Sequence, residues 1–241
     1  MIARYMGGER GARTAAGTGA VVVVVDAFRA STTVAVLVSK GARVVPVASI
    51  EEAASAGTDF RIGERGSAKV AGFDFGNSPT EILTSRIPPG STVALSTTNG
   101  TRIVEAAAGA PAILTGAFVN AESLARYLSG ATQDNREVVV VGCGWEGRRA
   151  SEDEAAAGAI LHRLGARGAE LDERARRVVG RYLSAGTLTD NSAARRLKRL
   201  GYERDLEFCL AEDTVPVVPR LVDGAFVGRA AAGFSALGPT P

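Results

Sequence analysis

Five short aliphatic runs that never alternate with polar residues constrain this chain more than any other feature: "AVVVVVD" at 20–26, "RVVPV" at 43–47, "STVALST" at 91–97, "PAILTG" at 111–116 and "EVVVVG" at 137–142. A strand that is apolar at every position is buried on both faces, as in a sheet covered by helices on each side. Between the runs lie helix-like segments at 31–40, 50–56, 101–108, 121–129 and 151–164. Such alternation implies right-handed crossovers and a three-layer α/β fold, a mainly parallel sheet with helices on both faces. After Leu164 the pattern changes. Residues 171–183 and 192–200 read as charged amphipathic helices, and the extended "TVPVVPRLVDGAFV" follows, where prolines at 216 and 219 point to an edge strand or a loop. The fold class is therefore α/β with a helical and extended C-terminal part. The chain reads as one unit over 1–241, with a subdivision near 165 into a sheet domain (20–165) and a smaller subdomain (166–235) as the variant.

Composition narrows the function. With 46% apolar residues over 241 positions the chain can bury a large core, and a net charge of +2 with 5% aromatics argues against a nucleic-acid binder. Only Lys40, Lys69 and Lys198 are lysines among 28 basic residues, so nearly every cation is a planar guanidinium suited to carboxylate, phosphate or sulfonate. The first twenty residues lack the apolar run of a signal peptide, and no aliphatic stretch is long enough to cross a bilayer. Cys143 and Cys209 form no CxxC spacing. The expectation is a cytoplasmic protein with neither a membrane nor a nucleic acid as partner. The cluster Arg195, Arg196, Lys198, Arg199 reads as a solvated helix face.

In an open parallel sheet, ligands bind beyond the carboxyl ends of the strands. There the sequence turns polar: Asp26, Arg29, Ser31 and Thr32 after the first run, Thr97 to Arg102 ("TTNGTR") after the third, Asn120 after the fourth, and "GCGWEGRRASED" after the fifth. The glycine-rich stretch 57–89 adds Glu64, Arg65, Asp74, Asn77 and Ser78. Carboxylates, guanidinium groups and helix N-termini on one rim suit a polyanion held through a divalent cation. In "TTNGTR" the backbone N–H groups and hydroxyls can cradle phosphate oxygens with Arg102 reinforcing the charge, and ordinary capping by Asn99 or Thr101 is the alternative.

The fifth stretch spells two familiar anion-binding patterns at once, Gly142-x-Gly144-x-x-Gly147 and Cys143-x5-Arg149. A dinucleotide fingerprint wants its third glycine in the first helical turn. Here Ser151-x-x-Glu154 reads as a capping box that starts the helix four residues after Gly147, and the segment directly beyond Leu164, "GARGAELDERARRVV", reads as another helix rather than a strand. A cysteine phosphatase wants a bare anion loop, where Glu146 would repel thiolate and phosphate alike. Facing a cation, Glu146, Glu152 and Asp153 become oxygen ligands or acid/base groups. With His162 the only histidine and late in its helix, zinc and histidine-phosphatase chemistry recede, leaving carboxylates and a hard cation such as Mg²⁺.

Together "VDAFRASTT", "GERG" with "GFDFGNSP", "STTNGTR", "GAFVNA", "GCGWEGRRASEDEAAAGAI" and "LGYERDLEFCLAED", in order over 21 to about 210, resemble the 2-phosphosulfolactate phosphatase family. The resemblance implies an α/β, Mg²⁺-dependent acid phosphatase that converts 2-phospho-3-sulfolactate to 3-sulfolactate and phosphate in coenzyme M formation. Its motif positions are Asp26, Arg29, Ser31, Glu64, Asn77, Ser78, Thr97, Asn99, Arg102, Asn120, Glu146 and Asp153. A small phosphorylated substrate also bearing carboxylate and sulfonate agrees with arginines at Arg29, Arg65, Arg102 and Arg148. On this reading Mg²⁺ is held by Asp26 with Glu146 or Asp153, Glu64 is general acid or base, and the arginines orient the anions. The alternatives are Asp26 as a nucleophile, a non-catalytic anion-binding module and a nicotinamide-type oxidoreductase; a homodimer is the partner left open. The first twenty residues carry no family motif, and Trp145 is bulky for its place in the loop.

Overall fold

A computed structural model describes residues 1–131, 137–184, 186 and 188–229. Strand β1 (Ile2–Gly7) and helix α1 (Gly8–Gly17) lead into β2 (Val21–Val25), α2 (Ala30–Ser39), β3 (Arg43–Pro46) and α3 (Ile50–Ser55). The hairpin β4 (Phe60–Arg65) and β5 (Ala68–Lys69) precedes α4 (Pro79–Thr84), β6 (Thr92–Ser96), α5 (Gly100–Ala106) and β7 (Ile113–Thr115). A 3-10 turn, Phe118–Asn120, opens onto α6 (Ala121–Ala131), β8 (Val138–Gly142) and α7 (Ser151–Ala166). The chain closes through β9 (Glu170–Leu171), α8 (Glu173–Ser184), α9 (Ser192–Arg199), α10 (Glu203–Leu210), β10 (Val218–Val222) and β11 (Ala225–Arg229).

All five aliphatic runs are strands, and β2 shows why they are apolar throughout. Val21, Val23 and Val25 pack with α6, α7 and the C-terminal helices, whereas Val22 and Val24 pack with α1, α2 and α5 on the other face. In β8, Val138 and Val140 face the first layer and Val139 and Val141 the second. Period-two alternation of side chains thus feeds two separate apolar layers, and each fully buried valine is worth about 1.5–3 kcal/mol.

The strands join in one sheet, ordered β5-β4-β6-β3-β11-β10-β7-β2-β8-β1-β9. Two parallel blocks, β4-β6-β3 and β7-β2-β8-β1-β9, are separated by the antiparallel hairpin β10–β11. The hairpin meets β7 through the pair Arg220↔Leu114 and β3 through Phe226↔Val44, both antiparallel. This corrects the edge-strand expectation: the segment lies in the middle of the sheet. Pro219 faces Gly228 across the hairpin, and the two-residue turn Asp223–Gly224, with φ of 49° and 77°, closes it. The first twenty residues, which carry no recognisable motif, supply β1, in register with the whole of β8.

Candidate active site

Residues that follow β2, β4, β6 and β8 line one small cavity. Its carboxylates are Asp26, Glu64, Glu152 and Asp153; Arg29, Ser67, Asn77, Asn99 and Trp145 complete the wall. Pro46, Thr97 and Gly100, from the ends of β3 and β6, share a neighbouring hollow with Asp26 and Ser31. The carboxyl ends of both parallel blocks therefore contribute to one rim.

Asp26 follows directly on β2. Its N–H donates to Ser31 Oγ at 2.8 Å, and its Oδ1 accepts from Ala30 N–H at 3.3 Å, so the first turn of α2 fixes the carboxylate. Ser31 in turn lies 2.7 Å from the Thr115 hydroxyl at the end of β7. Burial, together with the negative charges of Glu64 and Glu152, pushes Asp26 up to about 7. Asp153, in the first turn of α7, reaches across the rim: Oδ1 accepts from Ala27 N–H at 2.9 Å and Oδ2 from Gly144 N–H at 2.8 Å. Burial, and then the charge of Asp26, raise Asp153 well above the usual carboxylate range despite those two donors.

Glu64 is saturated by donors. Its Oε1 accepts from the Thr98 N–H and hydroxyl, each at 2.8 Å, and its Oε2 from Ser67 N–H at 2.7 Å. Ser67 belongs to the β4–β5 turn, and its carbonyl accepts from Arg29 Nη2 at 2.7 Å. Arg29 also donates from Nη1 to Asp205 at 2.5 Å and lies 4.2 Å over the Tyr202 ring. Asp205 further accepts from Ser78 Oγ at 2.8 Å and Thr80 N–H at 3.1 Å, which ties α4 to α10. Ser78 is thereby both the cap of α4 and a tether, since its hydroxyl accepts from Glu81 N–H.

Among the described residues three buried side-chain oxygens have no hydrogen-bond partner, Thr33 Oγ1, Asn77 Oδ1 and Thr97 Oγ1, and the last two line this rim. An unpaired buried acceptor is costly unless a ligand uses it. Among the described residues no three His, Cys, Asp or Glu side chains converge as a ready-made metal cluster. The oxygen set nevertheless fits a hard cation: Asp26 Oδ2 accepts no hydrogen bond from the described residues, and the Asn77 Oδ1 orphan lines the same cavity.

Other expected residues lie elsewhere. Arg102 is exposed on α5 beside Glu9 and Arg13. Asn120 is fully buried with both ends satisfied, Oδ1 by Ala117 N–H at 2.9 Å and Nδ2 by the Val217 carbonyl at 3.1 Å; it anchors β10. Arg65 is exposed, donating to its neighbour's carbonyl and to Ser96 Oγ. Glu146 occupies the tip of a two-residue turn with φ of 48°, its side chain exposed and only its N–H directed inward, 3.4 Å from Asn99 Oδ1. Arg148 closes that turn through paired backbone bonds with Trp145 and is also exposed. Asn99 sits at the N-cap of α5 without capping it, because its side chain spans to this turn instead.

The loop resolves its own ambiguity. A Cβ on Gly144 would fall 2.2 Å from the Arg148 carbonyl, so this glycine serves a tight turn rather than a pyrophosphate. The Cys143 thiol is buried, and burial with the charges of Asp26 and Asp153 pushes it well up, the reverse of an activated thiolate. Arg149 pairs with Glu154 at 2.5 Å in a separate hollow with Tyr5 and Arg181. That pairing also corrects the capping box. Ala150 is the N-cap, Ser151 is already helical, and Glu154 serves Arg149 and Arg181.

Sequence reasoning missed Asp205, Ser67 and the contact between Trp145 and Arg196. Asp205 stands beside Leu206 and four residues before Cys209 on the buried face of α10, where an acid signals a buried partner. Arg196 is not solvated like its neighbours: its guanidinium stacks 3.8 Å over Trp145, and its Nε donates to Ser67 Oγ at 2.9 Å.

Fold and rim define an α/β protein whose buried carboxylates and the Arg29 guanidinium line one small cavity at the carboxyl ends of the strands. A family profile described as 2-phosphosulpholactate phosphatase matches residues 6–224, and the chain belongs to this family. It is accordingly a phosphoric monoester hydrolase. A "probable 2-phosphosulfolactate phosphatase" of Gloeobacter violaceus is 39% identical over 223 residues, 85% of this chain and 89% of that protein. Its counterpart in Thermosynechococcus vestitus is 36% identical over 226 residues, covering 86% and 91%. The 2-phosphosulfolactate phosphatase of Methanocaldococcus jannaschii is 37% identical over 208 residues, covering 83% and 88%. The match runs past the motifs on both sides and takes in part of β1. Among the described residues no helix is long and apolar enough to cross a membrane.

Proposed function

We propose that this rim hydrolyses 2-phospho-3-sulfolactate, or a closely similar phosphorylated hydroxy acid, with Mg²⁺. The observation that carries the reading is Asp26: a carboxylate fixed by α2, packed among other acids, with one oxygen accepting no hydrogen bond from the described residues and a proton affinity set near neutrality. Asp26 Oδ2 and Asn77 Oδ1 are the atoms we assign to the cation. Bound there, Mg²⁺ would neutralise phosphate charge and lower the pKa of a ligated water.

The residues divide the remaining tasks. Asp153 clamps the ends of β2 and β8 through two backbone N–H groups and keeps Asp26 in a crowded anionic field. Glu64, given its three donors, positions Thr98 and Ser67 rather than exchanging a proton with substrate. Arg29, locked by Asp205 and Ser67, supplies a fixed positive charge at the cavity. Thr97 and Asn99 offer a hydroxyl and an amide from the turn into α5. Arg65, Arg102 and Arg148 take no part in the chemical step. We read the chain as one unit rather than two, because β10–β11 from the C-terminal part lies inside the sheet.

Two routes remain distinct in chemistry: water attacking phosphorus, or Asp26 attacking it to form an aspartyl-phosphate. The stereochemical course at an isotopically chiral phosphate separates them, since direct attack by water inverts phosphorus and two displacements through an aspartyl-phosphate retain it. The function itself is tested by a panel of phosphorylated hydroxy acids with Mg²⁺. Phosphate release fastest from the sulfonate-bearing member supports the reading, and none from any member refutes it.

A further inference from the structure

Resting on the phosphatase reading, we propose that Arg196 is a specificity-determining residue that binds the substrate's anionic group remote from the phosphate, a sulfonate or a carboxylate. The hydrogen-bond donors of the arginines set Arg196 apart. Arg29 is 2% exposed and commits Nη1 to Asp205 and Nη2 to the Ser67 carbonyl. Arg65 spends both Nη groups on the Glu64 carbonyl and Ser96. Arg102, Arg148 and Arg196 all stand outside the lining of the cavity, but of the three only the Arg196 guanidinium bonds a residue that lines it, Ser67, among the described residues. Arg196 differs, because only its Nε is committed, to Ser67 Oγ, and both Nη groups are without hydrogen-bond partners among the described residues.

Its position is built rather than incidental. Arg196 contacts Trp145 by stacking and Ser67 by a hydrogen bond, and its charge acts on Glu152; all three residues line the cavity of Asp26. The guanidinium Cζ lies 3.8 Å from the centre of the Trp145 ring, and the Nε bond to Ser67 holds it there. What remains is a fork of N–H donors of the kind that takes two oxygens of a planar or tetrahedral anion. Burial raises the proton affinity of Glu152, and the nearby charge of Arg196 works in the opposite direction. Ser67 makes the link to the reacting end: it meets Arg196 by its hydroxyl, Arg29 by its carbonyl and Glu64 by its N–H. One turn thus sets the spacing between two cationic groups, which suits a substrate with anions at two ends.

Trp145 is the only tryptophan, so its fluorescence reports this contact alone. The Mg²⁺-loaded protein is titrated with 3-sulfolactate, with malate and with lactate, which carry sulfonate, carboxylate or neither at the remote carbon. A saturable signal is expected from 3-sulfolactate, from malate as well if carboxylate is accepted, and none from lactate; an equal signal from lactate overturns the proposal. Arg196→Ala should raise KM for 2-phosphosulfolactate about 10- to 100-fold with kcat changed far less, and the loss on 2-phospholactate should be at least about tenfold smaller. Equal losses on both substrates, an effect on kcat alone, or no effect overturns it. If Arg196→Ala does not fold, Arg196→Lys decides by the same substrate ratio, keeping the charge but losing the fork. A wild-type protein that releases no phosphate refutes the phosphatase reading instead, and the fluorescence titration still reads the anion contact.

Discussion

The Arg29 guanidinium and the Asp205 carboxylate meet at 2.5 Å, 176 positions apart in the chain, with exposures of 2% and 1%. The pair joins the loop after β2 to α10, and Ser78 and Thr80 complete the oxygens of Asp205. Asp205→Asn keeps the shape and strands a buried cation, which typically costs about 3–5 kcal/mol. Urea denaturation should show that loss, with activity falling as Arg29 shifts. A variant as stable as the parent would mean that water reaches Arg29.

Stability should fall as pH rises through the range where Asp26 titrates. An acid whose folded pKa exceeds its unfolded one keeps its proton longer when folded, so each step upward in pH favours the unfolded chain. For Asp26 the window runs from 3.8 to about 7, and Asp153 acts in the same direction. Thermal melts in EDTA should therefore show Asp26→Asn gaining on the parent as pH rises across this window. Parallel curves for the two proteins would show that the crowding of acids is relieved by solvent.

Much of this was legible in the sequence, and the limits have physical causes. Strands buried on both faces announce themselves because neither face tolerates a polar residue, so all five were found. Pro216 and Pro219 interrupt the pattern of the hairpin β10–β11 and make it read as an edge strand or a loop, although Asp223–Gly224 is a good two-residue turn. At the site, Asp26, Arg29 and Asp153 are recognisable from their place after strands, and Glu64 and Asn77 from the long glycine-rich stretch that carries them. Their partners were not. Whether Glu146 points inward or Asn120 is satisfied by backbone depends on turn geometry and on contacts across 97 positions, which local pattern does not encode. Arg196 is hidden among three basic neighbours, and only the fold sets it on Trp145.

Cys143 lies beside the cavity but has no chemical part. Burial raises its thiol and its backbone N–H donates to the Val25 carbonyl at 2.9 Å. Cys143→Ala should keep kcat/KM within about threefold, with at most a small packing loss, and iodoacetamide should leave the native protein active. Inactivation by either would reinstate a thiol mechanism.

The turn over the cavity depends on Gly144. A Cβ there meets the Arg148 carbonyl at 2.2 Å and φ is +73°, so Gly144→Ala must displace backbone. Strain of roughly 1–3 kcal/mol should appear as a lower Tm, with a loss of activity because Asp153 binds the Gly144 N–H. Unchanged melting would show that the turn adopts another form.

The central claim is that Asp26 and a hard cation together release phosphate, and a Mg²⁺ titration of initial rates on 2-phosphosulfolactate, run for the parent and for Asp26→Asn, tests it most directly. Saturable activation that EDTA abolishes is expected in the parent, with the variant at least about 100-fold slower at every Mg²⁺ concentration. Full turnover in EDTA, or a variant that follows the parent's curve, would contradict it.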